Sequence, residues 1–74
     1  MKKNKDLDIG EIFNLAIQHH QKNNLKVAHE LYEKILKIDP NYVVAHQNLG
    51  VLFQSLGNTP KAIKCYEKVI EIDP

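Results

Sequence analysis

The stretch Tyr32–Pro40 reads Tyr-Glu-Lys-Ile-Leu-Lys-Ile-Asp-Pro, and it recurs at Tyr66–Pro74 as Tyr-Glu-Lys-Val-Ile-Glu-Ile-Asp-Pro. The two copies begin 34 residues apart (66 − 32) in a chain of 74 residues. At the same spacing, Ala28 meets Ala62. A fixed period of this length is typical of folds in which one small unit is stacked on the next, so the period decides the fold.

Hydrophobic residues divide the first period into two amphipathic helices. Apolar side chains recur every three or four residues on either side of a polar turn at residues 22–24, as on one face of a helix. The first face comprises Ile9, Ile12, Phe13, Ala16 and Ile17, and the second comprises Leu25, Ala28, Leu31, Tyr32, Ile35, Leu36 and Ile38. Because Pro40 disfavours a helical conformation at Asp39, we predict that the second helix ends there.

The second period repeats this plan. Residues 43–56 predict a third helix, residues 57–58 predict a turn, and a fourth helix ends at residues 72–74. We predict that Thr59 caps the fourth helix and that Pro60 lies in its first turn, where a missing N–H costs nothing. The chain is therefore predicted to be all-α, with four antiparallel helices in two hairpins.

The composition argues against several classes of function. Ten lysines and nine acidic residues leave a net charge of +1, and arginine is absent. A nucleic-acid-binding protein needs a basic excess to displace counterions from phosphates. No run approaches the roughly 20 apolar residues that cross a bilayer. We expect a soluble, cytoplasmic protein that binds neither nucleic acid nor membrane, and the lone Cys65 fits a reducing compartment.

The residue types that carry catalysis or bind metal are not grouped in the sequence. His19 and His20 are adjacent, so on a helix they diverge by about 100° and do not share a face. No paired cysteines or H-E-x-x-H spacing accompanies them. Cys65 has no histidine within one helical turn. We therefore predict no enzyme activity, no metal site and no cofactor.

The period and its residue types resemble the tetratricopeptide repeat, whose pattern is W-x2-L-G-x2-Y, then A-x3-F, then P. The matching residues are Ile12, Leu15, Ala16, His19, Ala28, Tyr32 and Pro40 in the first period and His46, Leu49, Gly50, Phe53, Ala62, Tyr66 and Pro74 in the second. The resemblance implies an α-solenoid with right-handed superhelical stacking. Repeat one would span residues 9–42 and repeat two residues 43–74, after a flexible segment at 1–8.

The sizes of the repeated residues have a physical explanation. We expect Ala28 and Ala62 to be small because the two helices of a hairpin cross close to them, and Gly50 to be small for the same reason. We expect Tyr32 and Tyr66 to be large because they fill the space between one hairpin and the next.

The second repeat ends at Pro74 without a capping helix, although about three repeats are normally wanted for stability. Apolar residues of the fourth helix, including Val69 and Ile70, would then be partly bare. We favour a fragment of a longer array. A self-associating homo-oligomer and a monomer that tolerates the exposure are the alternatives.

The resemblance also implies a binding face, because the first helix of each hairpin lines the inside of a groove in this family. The implied concave residues are Phe13, Asn14, Ile17, His20 and Gln21 from repeat one and Gln47, Asn48, Val51, Gln54 and Ser55 from repeat two. Asn14 and Asn48 occupy the same position of each repeat and resemble the asparagine ladder in the peptide groove of the O-linked N-acetylglucosamine transferase. The alternative is that these asparagines support helix packing.

The resemblance implies a protein–protein interaction module, a scaffold that holds a peptide or protein segment. Phe13 and Ile17 stand where chaperone-binding repeats carry a lysine and an asparagine, so we do not expect binding of chaperone tails. The alternatives are a self-associating structural unit and a substrate-recruiting arm of a larger enzyme, such as a glycosyltransferase.

Overall fold

A computed structural model describes residues 8–74. Its helices are α1 (Ile9–Gln21), α2 (Leu25–Ile38), α3 (Val43–Ser55) and α4 (Thr59–Ile72), and no strand occurs in this part of the chain. α1 packs on α2, α3 packs on α4, and α2 packs on α3 between the two hairpins. The predicted all-α architecture of two hairpins is confirmed.

The N-terminus of α1 is held by a capping box that we did not predict. The backbone N–H of Glu11 donates to Oδ1 of Asp8 (2.8 Å), and the N–H of Asp8 donates to Oε1 of Glu11 (3.1 Å). This reciprocal pair satisfies two backbone donors that a helix start leaves free. Asp8, which we assigned to the N-terminal segment, is thus the N-cap of α1. Residues 1–7 of that predicted flexible segment lie outside the described residues.

Both hairpins turn through the same backbone motif at the same position of the repeat. Asn23 and Gly57 have φ values of 64° and 75°, in the left-handed region that asparagine and glycine tolerate best. The next residue's N–H then reaches back over the helix end, from Asn24 to the His19 carbonyl and from Asn58 to the Phe53 carbonyl, both at 2.8 Å. These are the bonds of a Schellman motif, which ends the first helix of each hairpin.

The predicted cap of α4 is wrong by one residue. Asn58 is the N-cap, and its side-chain oxygen accepts from the N–H of Lys61 (3.3 Å). Thr59 is already the first residue of the helix, with Pro60 after it. The helix begins one residue earlier because the left-handed residue Gly57 reverses the chain directly before Asn58. Pro60 remains in the first turn, where its missing N–H has no partner to lose.

The core draws on all four helices, but unequally. Its buried apolar residues are Ile12 and Ala16 from α1, Ala28, Tyr32 and Ile35 from α2, Ala45, Leu49, Leu52 and Phe53 from α3, and Ala62 from α4. α2, which lies between α1 and α3, is therefore covered better than α4. Within residues 8–74, no helix is long and apolar enough to cross a membrane.

The small residues lie where the helices approach, as predicted. Ala28 and Ala62 are buried, and a Cβ added at Gly50 would lie 2.6 Å from the Tyr66 ring. We predicted that Tyr32 and Tyr66 fill the space between hairpins. Both rings contact the first helix of their own hairpin. Tyr32 is also fully buried, on the helix that packs against both α1 and α3.

Candidate functional site

The ten residues predicted to line the groove all belong to α1 or α3, and none of them is buried. Asn14, Gln21, Gln47, Val51, Gln54 and Ser55 are exposed, whereas Phe13, Ile17, His20 and Asn48 are half-buried. In each helix they recur three or four residues apart, so they share one side of it. We call these ten residues the α1/α3 face.

Aromatic packing joins the α1 part of this face to the start of α3. The ring of Phe13 meets the ring of Tyr42 edge-on, with centroids 5.8 Å apart, and Tyr42 is the N-cap of α3. Phe13 also lies 6.2 Å from the ring of Tyr32, which is fully buried in α2. Phe13 is therefore only partly exposed, with its ring against the core, and so is Ile17, which packs against the same core.

Two members of the face are tied to the second helix of their own hairpin. Nδ1 of His20 and the hydroxyl of Tyr32 share a hydrogen bond of 3.0 Å, and the hydroxyl of Tyr66 donates to Oε1 of Gln54 at 2.7 Å. The two pairs are related by the 34-residue period (54 − 20 and 66 − 32). Burial raises the pKa of Tyr32, so its hydroxyl stays protonated well into the alkaline range. These contacts position His20 and Gln54.

The two asparagines of the face form no such hydrogen bond within residues 8–74. Within residues 8–74, neither the Asn14 nor the Asn48 side chain hydrogen-bonds to another group of the protein. Asn14 is exposed and Asn48 is half-buried. Each carboxamide has two donor hydrogens and an acceptor oxygen, so each can bond both the N–H and the C=O of another chain.

Two further residues adjoin the face and were missed in the sequence. Val44 is 40% exposed and lies three residues before Gln47, which places it on the same side of α3. Tyr42 is half-buried against Phe13. The helical spacing from Gln47 back to Val44 was the available signal, whereas the position of Tyr42 depends on packing between hairpins. With both included, the face contains amides, two hydroxyl groups (Ser55 and Tyr42), apolar groups and one imidazole, but no lysine or carboxylate.

Two sequence profiles that describe the tetratricopeptide repeat match this chain, one over residues 11–42 and the other over residues 43–74. The chain belongs to the tetratricopeptide repeat family. A solved tetratricopeptide repeat domain protein from Salinibacter ruber is 33% identical and superimposes with a TM-score of 0.82, over 89% of this chain and 73% of its own. No curated protein matches the chain. Tetratricopeptide repeats are generally protein-interaction modules, and the four helices described above have the expected α-solenoid arrangement.

The reactive groups of this tetratricopeptide repeat chain are dispersed. In the part of the chain that the structure describes, no three histidine, cysteine or acidic side chains cluster in a way that could hold a metal ion. Cys65 is half-buried in α4, and its pKa is raised by burial and by the negative charge of Glu33 on α2. A raised pKa keeps the thiol protonated and less nucleophilic at neutral pH.

The second tetratricopeptide repeat leaves part of α4 uncovered. Ile63 and Ile70 are 51% and 64% exposed. Their equivalents 34 residues earlier, His29 and Leu36, are packed: the His29 ring meets the Phe53 ring of α3 at 5.3 Å, and Leu36 packs against the core. The ring of His29 on α2 thus contacts the second hairpin. Ile70 is exposed and Val69 is half-buried, so both side chains are partly bare in the described residues, as expected.

Proposed function

We propose that the α1/α3 face binds an extended segment of a peptide or protein. The observation that carries this proposal is the pair Asn14 and Asn48, which hold equivalent positions 34 residues apart and form no side-chain hydrogen bond within residues 8–74. An amide that recurs along a helical array can hydrogen-bond to the backbone of an extended ligand whatever side chains that ligand carries. The general role of the family supports this assignment.

The remaining residues suggest which segments would fit. Phe13, Ile17 and Val51 offer apolar surface, and Val51 is 45% exposed. The face has no lysine or carboxylate to pair with a charged ligand, and an unpaired charge is costly to desolvate. We therefore propose a ligand with uncharged side chains where it contacts the face.

We propose that this role is that of a non-catalytic scaffold in the cytoplasm. The free thiol of Cys65 supports the location, because thiols persist in the reducing conditions of that compartment. The scattered reactive groups of residues 8–74 support a binding role over a catalytic one.

The test uses random peptides of about 12 residues, selected by panning on the wild-type chain. Such peptides span about 40 Å when extended, which is comparable to the 44 Å longest extent of the molecule. We expect the double variant Asn14→Ala/Asn48→Ala to bind the selected peptides about tenfold more weakly by fluorescence anisotropy. Asn41→Ala is the matched control, since Asn41 is exposed between α2 and α3 and lies outside the face. Unchanged affinity in the double variant, or an equal loss in the control, would refute the proposal.

Self-association is a second candidate role, favoured by the bare side chains of Ile63 and Ile70 on α4. Helical repeats bury their apolar faces only against a neighbour, so an uncovered second helix is a natural contact surface. This role uses a different part of the molecule, and it does not compete with ligand binding on the α1/α3 face.

A further inference from the structure

We infer that His20 and Gln54 bind the backbone carbonyl oxygens of the ligand, and that Tyr32 and Tyr66 hold them in this role as hydrogen-bond donors. This inference rests on the proposed peptide binding by the α1/α3 face and names the backbone groups that the face contacts. The ligand class that follows is a peptide segment bound through its carbonyl groups, in which proline is accepted at the contacted positions.

The side-chain amide of Gln54 is oriented by its contact with α4. The hydroxyl of Tyr66 donates to Oε1 of Gln54 at 2.7 Å. The oxygen of the amide therefore points towards Tyr66, and its nitrogen points away from that hydroxyl. Within residues 8–74 this nitrogen has no hydrogen-bond partner, and Gln54 is exposed. Both hydrogens of the NH2 group are thus available to a ligand.

The tautomer of His20 follows from the burial of Tyr32. Nδ1 of His20 lies 3.0 Å from the Tyr32 hydroxyl, and Tyr32 is fully buried, so this hydroxyl cannot bond bulk water. Within residues 8–74, Nδ1 is the only acceptor within hydrogen-bond distance of it. A buried hydroxyl hydrogen without an acceptor is costly, so the hydroxyl donates and Nδ1 accepts. A neutral imidazole that accepts at Nδ1 has its own hydrogen on Nε2.

Both repeats thus present an oriented N–H donor at the same position, although the side chains differ. Nε2 of His20 has no hydrogen-bond partner within residues 8–74, and His20 is only half-buried. The face has no lysine to balance a carboxylate, so the uncharged backbone carbonyl is the acceptor that fits these donors. Proline keeps its carbonyl and lacks the N–H, so it is accepted where His20 and Gln54 make contact.

Long-range 1H–15N correlation NMR of the full chain tests the tautomer of His20 without a ligand. At about pH 8.5, above the usual titration range of histidine side chains, we expect His20 to have a protonated Nε2 and an unprotonated Nδ1. Tyr32→Phe should shift the His20 signals, because Nδ1 loses its donor. The signals of His46, whose Nε2 bonds the Pro40 carbonyl, should not move and serve as the reference. A protonated Nδ1 in the wild-type chain would overturn the inference.

Substitution of Gln54 tests the donor role with the peptides that were selected on the wild-type chain. Gln54→Met keeps the size of the side chain and removes its N–H groups, so it should weaken binding about fivefold by fluorescence anisotropy. Gln18→Met is the matched control, since Gln18 is exposed on α1 outside the face. His20→Gln should bind within about twofold of wild type, because glutamine already fills this position in the second repeat. Equal losses in the two methionine variants would refute the donor role.

A double-mutant cycle tests whether Tyr66 acts as a positioning residue. Tyr66→Phe frees the amide of Gln54 to turn, so Gln54→Met should cost less affinity in that background than in the wild-type chain. A purely structural role of Tyr66 predicts the same cost in both backgrounds, and that result would remove the tyrosine from the inference.

Changes in the ligand backbone provide an independent check. Each peptide bond of a selected peptide is replaced in turn by a thioamide, which weakens the acceptor, or is N-methylated, which removes the N–H and keeps the carbonyl. At one bond the thioamide should weaken binding to the wild-type chain but not to Gln54→Met, and N-methylation there should be tolerated. If no thioamide couples to Gln54, or if N-methylation at the coupled bond costs as much, the carbonyl assignment is wrong.

The outcomes separate this inference from the proposed function. A loss of binding in Asn14→Ala/Asn48→Ala with no loss in Gln54→Met would support peptide binding by the asparagines and overturn the donor role of Gln54. The reverse result would support the donor role and overturn the role of the asparagines. A selection that returns no binding peptide would overturn both.

Discussion

Nδ1 of His20 lies 3.0 Å from the hydroxyl of Tyr32, and this hydrogen bond joins the middle of α2 to the last turn of α1. The second repeat contains the equivalent bond with a different partner, from the hydroxyl of Tyr66 to Gln54 at 2.7 Å. The tyrosine is kept in both repeats while its partner changes from imidazole to amide. An imidazole nitrogen and an amide oxygen can both bond a phenol hydroxyl, so the tyrosine finds a partner on the first helix in either repeat.

Replacing Tyr32 with phenylalanine should lower the free energy of unfolding by about 1 kcal/mol. The ring would still fill its fully buried site, but His20 would lose the hydroxyl that bonds it. Urea denaturation followed by circular dichroism measures the change. The matched variant Tyr66→Phe should cost less, because its hydroxyl bond is exposed to water. Equal losses in the two variants would show that the burial of Tyr32 does not strengthen its bond.

Stability should decrease as the pH rises above about 10, which is the usual pKa of tyrosine. Burial raises the pKa of Tyr32 in the folded protein, so between the two pKa values the unfolded chain binds fewer protons than the folded one. The contribution of Tyr32 is thus complete below pH 10 and is lost as the pH rises towards the folded-state pKa. Urea denaturation at a series of alkaline pH values should show this decline, and Tyr32→Phe should make it shallower. An unchanged slope in that variant would contradict the assignment.

Gly50→Ala should destabilise the protein by about 1 kcal/mol, although alanine favours helix more than glycine. The added Cβ would lie 2.6 Å from Cε1 of Tyr66, so the ring would have to move and break its bond to Gln54. In a Tyr66→Ala background the obstacle is gone, and the same substitution should stabilise by about 0.5–1 kcal/mol. Comparing the four unfolding curves measures this reversal. The same effect in both backgrounds would mean that the ring does not rest on Gly50.

The thiol of Cys65 should react slowly with a disulfide reagent at neutral pH. Burial raises its pKa, and so does the charge of Glu33, which favours the protonated form. Glu33→Gln should lower that pKa and speed the reaction, which a pH series of labelling rates would measure. Glu30→Gln is the control, because it removes an exposed carboxylate from the same helix that does not raise the pKa of Cys65. If the two variants react alike, Glu33 does not act on the thiol.

Local backbone chemistry shows why the elements themselves could be predicted. The turn around Asn23 and the turn around Gly57 lie where the apolar spacing is interrupted, and both residue types tolerate the left-handed conformation found there. The cap of α4 was misplaced because Asn58 and Thr59 are both good capping residues, and the geometry after Gly57 chooses between them. The capping box of Asp8 and Glu11 was visible as a spacing of three residues but was not used.

The candidate site was predictable only in so far as helical spacing shows which residues share one side of a helix. The family resemblance and the period identified the ten side chains of the α1/α3 face, and the structure leaves all of them unburied. Spacing did not reveal that Tyr32 holds His20 or that Tyr42 packs on Phe13. Those contacts join residues from different helices, and their distances depend on how closely the helices pack. The sequence also did not distinguish Gln54, bound to Tyr66, from Asn14 and Asn48, whose amides have no partner within residues 8–74.

The sequence by itself determined the period, the four helices, their turns and their family, because each depends on residue type and on spacing along the chain. Only the tertiary structure decided which matching positions of the two repeats have the same surroundings. Leu36 and Ile70 are alike in the repeat, yet Leu36 is packed and Ile70 is 64% exposed. The reason is physical, because a side chain on one helix is buried only where a second helix packs over it. α3 packs over α2, whereas α4 has no such neighbour within residues 8–74.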